Sequence, residues 1–378
     1  MKLLLIINSP EFFLTHRLPL ALAARDAGVE VEIATGPGLA CEKIRNLGFV
    51  HHLLPLKRSS VNPLLEFYSL VAFWKLMRSV KPNLLHLVTI KPAIYGSLTA
   101  RLAKVPAVLV AISGLGSTFV TSGKKISWLR RVVEFLYKQA FRHPNIRVVF
   151  QNESDRSLLI NLEAIKADQS YLIRGSGVSL TDYPFKPEPC GEVVVTFASR
   201  LLVEKGVLEF IDSARILKRR GLSIRFWLVG ELDLENPSSV KWDDITFWHE
   251  SGLVEYLGFR SDISEIFANS NIVVLPSYYG EGLPKVLIEA AACGRAVVTT
   301  DMPGCRDAIR PNISGVLVPD RNAEKLADAI ERLVFDSDLR QAMGKAGRDL
   351  AKHDFTIEKV VSSHMKIYSE LTGFNFVH

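Results

Sequence analysis

The stretch LPSYYGEGLPKVLIEAAACG, Leu275 to Gly294, decides how the second half of this chain is read. It continues the short apolar run NIVV, which suits a strand buried on both faces. Leu283, Val286, Leu287, Ala290 and Ala291 fall at i, i+3, i+4, i+7 and i+8, the apolar face of a helix. Pro284 suits the first turn, where its missing N–H costs nothing, and Cys293-Gly294 closes the run. A helix starting at the carboxyl end of a parallel strand turns amides and a positive dipole end toward anions, phosphate above all. Gly282 lets a ligand approach the backbone closely. Two carboxylates bracket that start: Glu281 in a glycine-flanked turn, and Glu289 on the polar side of the helix. Eight residues at helical rise set them about 12 Å apart, comparable with a diphosphate flanked by two sugars. One carboxylate would then accept hydroxyls of a sugar and the other those of a ribose. The spacing is equally met by a surface Glu289 paired with Lys285 and an incidental Glu281.

Working outward, ASRLLVEKG ends another strand and offers Arg200 and Lys205. A guanidinium and an ammonium at a strand's carboxyl end can converge on a diphosphate. Around these segments strands and helices alternate: VVVTFAS, VLEFIDSARILKRRG, IRFWLVG, VEYLGF, AVVTTD and AEKLADAIERLVFD. The first half alternates in the same way, through KLLLII, RLPLALAARDAG, VEVEIAT, NLLHLV, AVLVAI and IRVVFQ. Between the halves, GSGVSLTDYPFKPEP is rich in Gly, Ser and Pro and reads as a linker. The expectation is an α/β chain of two doubly wound, Rossmann-like domains. One spans 1–185 and the other 186–358, with a last helix at 359–378 packing back across the linker.

A chain of 378 residues suits two domains, and 48% hydrophobic with 23% charged residues is ordinary for a globular protein. No apolar run approaches the roughly 18 residues of a membrane span. MKLLLII holds an apolar run of five, short for a signal peptide. Cys41, Cys190, Cys293 and Cys305 are scattered without metal spacing, which suits a reducing cytoplasm. The net charge of +6 is uneven. Residues 1–185 hold 23 basic and 12 acidic residues, and 186–378 hold 23 and 28. Within 51–147 there are 15 basic residues against Glu66 and Glu134 alone. Such a field favours an anionic partner: a diphosphate, a membrane surface or nucleic acid. The block matches no nucleic-acid motif, which sets nucleic acid aside.

Taken together, SRLLVEKG, LVG, EYLGF, LPSYYGEGLPKVLIEAAACGRAVVTTDMPGCRDAI and GVLVP resemble the nucleotide-sugar domain of retaining glycosyltransferases of the GT-B fold, family 4 (group 1). The pattern covers nearly all of 190–330. The first half is similar more loosely, through HRLPLALAARDAGVEVEIAT, KPAIYGSLTARLAKVP and ISGLG, to members that build O-antigen, capsule and lipid-linked oligosaccharides. The resemblance implies two Rossmann-like domains facing each other across a cleft. It implies transfer of a sugar, N-acetylgalactosamine or N-acetylglucosamine, from a UDP-sugar to a glycan on undecaprenyl diphosphate. Arg200 and Lys205 would hold the donor diphosphate, Glu281 the donor sugar, the Gly282 and Leu283 amides the distal phosphate, and Glu289 the ribose. The backbone near Phe259 and Arg260 would lie by the base. Anomeric configuration would be retained by front-face attack, with Glu281 as a covalent nucleophile the alternative.

The leaving phosphate gathers charge that Arg200, Lys205 and the helix N-terminus can stabilise, so no metal or other cofactor is expected. ELDLE, Glu231 to Glu235, reads as a solvated loop. Many relatives carry His-Gly where this chain has Ser113-Gly114, and a serine carries no charge near neutral pH. The usual Gly-Gly of the first loop is replaced by NSPEFFLTHR, so His16, Arg17 or Asn8 would take over part of the acceptor side, with Lys91 meeting an acceptor phosphate or standing in solvent. SGKKISWLRRVVEFLYKQAFR has Ile126, Leu129, Val133, Leu136 and Tyr137 near helical spacing among basic residues. It reads as an interfacial helix placing Lys124, Lys125, Trp128, Arg130 and Arg131 on an anionic membrane, or as a core helix with a basic outer face. The enzyme would then work peripherally at the inner face of the plasma membrane. His51-His52 point to opposite faces of a strand, which argues against a metal pair, and His86 reads as a buried, hydrogen-bonded histidine. The rival readings are a GDP-mannose or other hexose donor, a nucleotide-sugar 2-epimerase, and a non-catalytic nucleotide-sugar binder.

Overall fold

The computed structural model describes residues 1–56, 62–116, 124–233 and 236–376, and of residues 63 and 124–129 the backbone alone. The chain divides into Met1–Ser176 with Ile357–His378, and Gly177–Thr356. In the first unit β1 (Lys2–Ile7), β2 (Glu30–Thr35), β3 (Val50–Leu53), β4 (Leu84–Val88), β5 (Ala107–Ile112), β6 (Ile146–Phe150) and β7 (Ser170–Leu172) form one sheet. Its order is β3-β2-β1-β4-β5-β6-β7 and the recorded pairings are parallel. The second unit has β8 (Val193–Ala198), β9 (Ile224–Val229), β10 (Glu255–Gly258), β11 (Ile272–Leu275), β12 (Ala296–Thr300) and β13 (Gly315–Val318). Its order is β10-β9-β8-β11-β12-β13, again parallel. The doubly wound α/β expectation holds in both units.

The reason is local. Strands such as β4, β5, β11 and β12 are buried along their whole length, because helices cover both faces of a parallel sheet and near-continuous apolar runs survive there. In each sheet the strand order reverses once, between β1 and β4 in the first and between β8 and β11 in the second. Loops leaving the carboxyl ends of those two strands splay apart and open the crevice where α/β sheets bind ligands.

Two boundaries differ from the sequence reading. The first division falls at 176/177 rather than 185/186, because the Pro-rich segment is pinned to the second unit. Arg348 donates to the Tyr183 carbonyl at 2.7 Å, Arg340 pairs with Glu188 at 2.9 Å, and Arg295 binds the Lys186 carbonyl. The second falls at 356/357. The helix Ile357–Thr372 packs on β4, β5, β6 and the helix Leu18–Asp26 of the first unit. His86 on β4 is fully buried and hydrogen-bonds the Tyr368 hydroxyl of that helix at 2.5 Å. His51 and His52 lie on β3 and bond different partners, Thr35 at 2.9 Å and Glu32 at 2.5 Å, as alternate strand faces require. Among the described residues, no helix is long and apolar enough to cross a membrane.

Candidate functional site

In the second unit β8 ends at Ala198 and its neighbour β11 ends at Leu275. After β8 the chain buries Leu201 and Leu202, makes a short helical turn at Val203–Lys205, and reverses at Gly206 with φ +81°. A Cβ on Gly206 would stand 2.3 Å from the Pro276 carbonyl oxygen. Only glycine lets the two loops touch. That contact is locked by the Tyr278 amide donating to the Glu204 carbonyl at 3.0 Å.

The result brings Lys205 and Glu281 together. The Lys205 ammonium lies 2.6 Å from Glu281 Oε2, and the Ser277 hydroxyl donates to Glu281 Oε1 at 2.6 Å. Both charged groups are largely buried. Thr300 at the end of β12 holds the Ser277 carbonyl from beneath. The loop after β12 supports the turn from the other side. Gly304 has φ +82°, and a Cβ there would sit 2.1 Å from the Gly282 carbonyl oxygen and 2.7 Å from that of Glu281. Gly304→Ala should therefore cost about 1–3 kcal/mol of stability and displace the 281–282 turn. A thermal unfolding midpoint and a nucleotide affinity both equal to those of the unaltered protein would contradict this support.

Arg200 stands beside this pair in sequence, and its Nη1 reaches Asp233 Oδ2 at 2.7 Å. That corrects the reading of 231–235 as merely solvated. Asp233 orients one edge of the guanidinium, whose other N–H groups serve further acceptors. Leu234 and Glu235 lie outside the described residues. Gly282 and Leu283 complete the turn before the helix Lys285–Ala292, and Pro284 is its N-cap rather than a residue of its first turn. The helical rise therefore applies only from Lys285 onward, and the estimate of about 12 Å between Glu281 and Glu289 does not.

Glu289 is a second correction. It is 8% exposed and lies against the segment that enters the unit, not on a solvated face. The Tyr183 hydroxyl donates to its Oε1 at 2.8 Å, and Lys285 lies 3.5 Å away. Burial raises the Glu289 carboxyl above its ordinary value, while Lys285 and the Tyr183 hydroxyl pull it back. Phe259 is exposed just past β10, and Arg260 is bound by Asp262 through Nε at 2.7 Å.

The first unit brings fewer of the predicted residues together. Arg17 is 2% exposed, and burial lowers its guanidinium to about 10. It is a core residue, which removes it from a solvent-facing acceptor site. His16 hydrogen-bonds the Ser176 hydroxyl at 2.9 Å. Lys91 pairs with Glu66 at 2.8 Å, so its charge is already engaged. Ser113, before Gly114 at φ +104°, has a buried hydroxyl with no partner among the described residues, as do the Asn8 and Thr89 side-chain oxygens. All three follow β5, β1 and β4, at and beside the strand-order reversal. Thr89 adopts φ +74°, a conformation β-branched residues avoid, and a π-helical turn at Pro92–Gly96 follows it. Neither feature leaves a mark in sequence.

The helix Lys124–Ala140 turns part of its apolar face inward, while Phe135 on it is exposed. Val133, Leu136 and Tyr137 pack into the core of the first unit, Arg130 pairs with Glu134 at 2.9 Å, and Arg131 is exposed. The side chains of Lys124, Lys125 and Trp128 lie outside the described residues. Sequence reading missed Ser277, Asp233 and Tyr183, each of which meets its charged partner only through folding.

Comparison with known proteins follows the same division. Residues 182–350 match the family model described as glycosyl transferases group 1, and residues 2–149 match glycosyl transferase 4-like. The chain is 31% identical over 369 residues to the N,N'-diacetylbacillosaminyl-diphospho-undecaprenol alpha-1,3-N-acetylgalactosaminyltransferase of Campylobacter jejuni, covering 94% of this chain and 95% of that protein. It is 24% identical over 331 residues to the UDP-Gal:alpha-D-GlcNAc-diphosphoundecaprenol alpha-1,3-galactosyltransferase of Escherichia coli, covering 84% and 83%. Anabaena HepE, solved in complex with UDP, superposes with a TM-score of 0.77 at 18% identity over 98% of this chain and 100% of that one, a likeness of fold.

Proposed function

The chain belongs to the group 1, family 4-like glycosyltransferases of the GT-B fold, and from that premise we propose that it moves an N-acetylhexosamine from a UDP-sugar to a lipid-diphosphate-linked glycan with retention of configuration. The observation that carries the reading is the Lys205–Glu281–Ser277 cluster at the strand-order reversal of the second unit, its Lys205 on the same loop as Arg200. The activities of the Campylobacter and Escherichia relatives, as their names give them, support a lipid-diphosphate acceptor, and the latter supports a UDP donor.

In this reading the bond from the sugar's anomeric carbon to the diphosphate breaks as an acceptor hydroxyl oxygen bonds to the same carbon from the same face. The acceptor proton passes to the departing phosphate oxygen. Arg200 and Lys205 stabilise the charge that develops there. Glu281 accepts hydroxyls of the donor sugar and keeps it oriented. Both of its oxygens are engaged by Lys205 and Ser277, which favours this role over that of a covalent nucleophile. Two side-chain cations make a divalent metal unnecessary, and the lipid acceptor brings the enzyme to the cytoplasmic face of an anionic membrane.

The test is transfer from a panel of UDP-N-acetylgalactosamine, UDP-N-acetylglucosamine and GDP-mannose to undecaprenyl-diphosphate glycans, in EDTA, with product anomers read by NMR. The expected result is transfer from one UDP-N-acetylhexosamine, undiminished by EDTA, to an α-linked product. Transfer only from GDP-mannose, an inverted product, or restoration by magnesium would each overturn the corresponding element.

A further inference from the structure

The helix Pro63–Val80 carries two apolar faces. Ser69, Phe73, Met77 and Val80 are buried, the last three in the core of the first unit. Leu64, Phe67, Tyr68, Val71 and Trp74 fall on the opposite stripe at helical spacing. Leu64 is 81% exposed, Phe67 66% and Tyr68 62%. Trp74, Lys75 and Arg78 are exposed further along the same stripe. A helix that is apolar all round belongs inside a core or in lipid, and a contiguous apolar patch of this kind marks an interaction site.

The stripe is held out by a well-anchored helix. The Asn62 side chain caps the Leu64 amide at 3.0 Å. The Glu66 carboxylate receives Lys91 at 2.8 Å and the Tyr95 hydroxyl at 2.7 Å. Ser69 donates to the Pro55 carbonyl at 2.9 Å. These bonds fix the inner face, and Leu64, Phe67 and Tyr68 stay exposed on the outer one.

Charge identifies the occupant. The segment 51–147 has 15 basic residues and two acidic ones. Both acidic residues are paired within the fold, Glu66 with Lys91 and Glu134 with Arg130. An aromatic and aliphatic stripe that runs on into exposed Lys75 and Arg78 is the composition that settles at a bilayer interface, rings at headgroup depth and cations on anionic headgroups.

We infer that the helix Pro63–Val80 lies on an anionic lipid bilayer, with Leu64, Phe67 and Tyr68 entering the headgroup–acyl boundary and Lys75 and Arg78 meeting the headgroups. This deepens the proposed reading by giving its membrane face a place on the helix Pro63–Val80. It rests on that reading for its purpose alone, since vesicle binding requires no turnover.

The experiment is co-sedimentation of the purified protein with phosphatidylglycerol–phosphatidylethanolamine vesicles that contain no glycan lipid. The triple variant Leu64→Ser, Phe67→Ser, Tyr68→Ser should lower the vesicle partition coefficient by about tenfold or more. Its UDP titration, which reports on the second unit, should match the unaltered protein and so exclude misfolding there. Phe247→Ser, which removes an exposed aromatic of the second unit, should leave sedimentation unchanged. Neutral phosphatidylcholine vesicles should bind the unaltered protein more weakly. Equal sedimentation of the triple variant and the unaltered protein would overturn the inference. So would a lipid-free dimer that the triple variant converts to monomer while vesicle binding persists, which would make the stripe a contact between copies. Vesicle binding lost in the triple variant, alongside no transferase turnover by the unaltered protein, would sink the proposed reaction and leave this face standing.

Discussion

Lys205→Ala lowers kcat by about 10²–10³-fold, the loss expected when one preorganised donor to a developing oxyanion is removed. On the proposed reading it also weakens UDP, because the same ammonium would meet the ground-state diphosphate. Glu281→Gln abolishes transfer by a different route and with the opposite effect on the nucleotide. In the free protein Lys205 is neutralised by Glu281 at 2.6 Å. An amide in place of the carboxylate releases that ammonium, so UDP binds as tightly as before or more tightly. The amide oxygen accepts fewer hydrogen bonds than the carboxylate, so the sugar loses its orientation. Steady-state rates with calorimetric UDP titration separate the two. A Glu281→Gln variant that loses UDP binding as severely as Lys205→Ala would contradict this division of labour.

Glu289→Ala weakens UDP by about 10–100-fold, the equivalent of one or two hydrogen bonds to a buried carboxylate. The sign of the accompanying pH dependence follows from burial. With ribose hydroxyls donating to the ionised carboxylate, as proposed, affinity would be present above the Glu289 pKa and lost as pH falls through it. Burial raises that pKa, and the Tyr183 hydroxyl at 2.8 Å opposes the rise. Tyr183→Phe removes the opposing donor, so UDP affinity should fall away at higher pH than in the unaltered protein. Binding of 2',3'-dideoxy-UDP should follow neither change. Equal affinities for UDP and the dideoxy analogue in the unaltered protein would remove the ribose assignment. An unmoved pH midpoint in Tyr183→Phe, with that assignment intact, would remove the role of Tyr183.

The strands and helices around Leu275–Gly294 are legible because their causes are short-range. Apolar runs of strand length, a helical spacing of 283, 286, 287, 290 and 291, and a glycine after the last turn are visible in a window of twenty residues. The charged site was legible only in its membership. Arg200, Lys205 and Glu281 are found by their places at strand ends, but Arg200 meets Asp233 and Lys205 meets Glu281 across loops far apart in sequence. Glu289 shows the limit most directly. Helical periodicity puts it opposite Leu287 and Ala291, and a single helix gives no reason to bury it. The segment that carries Tyr183 supplies the covering surface from more than a hundred residues away.

The amino-acid order alone therefore settled the two doubly wound sheets, the loops that could meet an anion, and the family they belong to, because parallel-sheet topology follows from the alternation of local patterns. Folding decided which charges neutralise one another, which carboxylate is desolvated, that Arg17 is a core residue, and which apolar face of the helix Pro63–Val80 remains uncovered. A helix with two apolar faces looks the same in sequence whichever one meets the core. Burial is a property of what packs against a residue, and that partner is chosen by the whole chain.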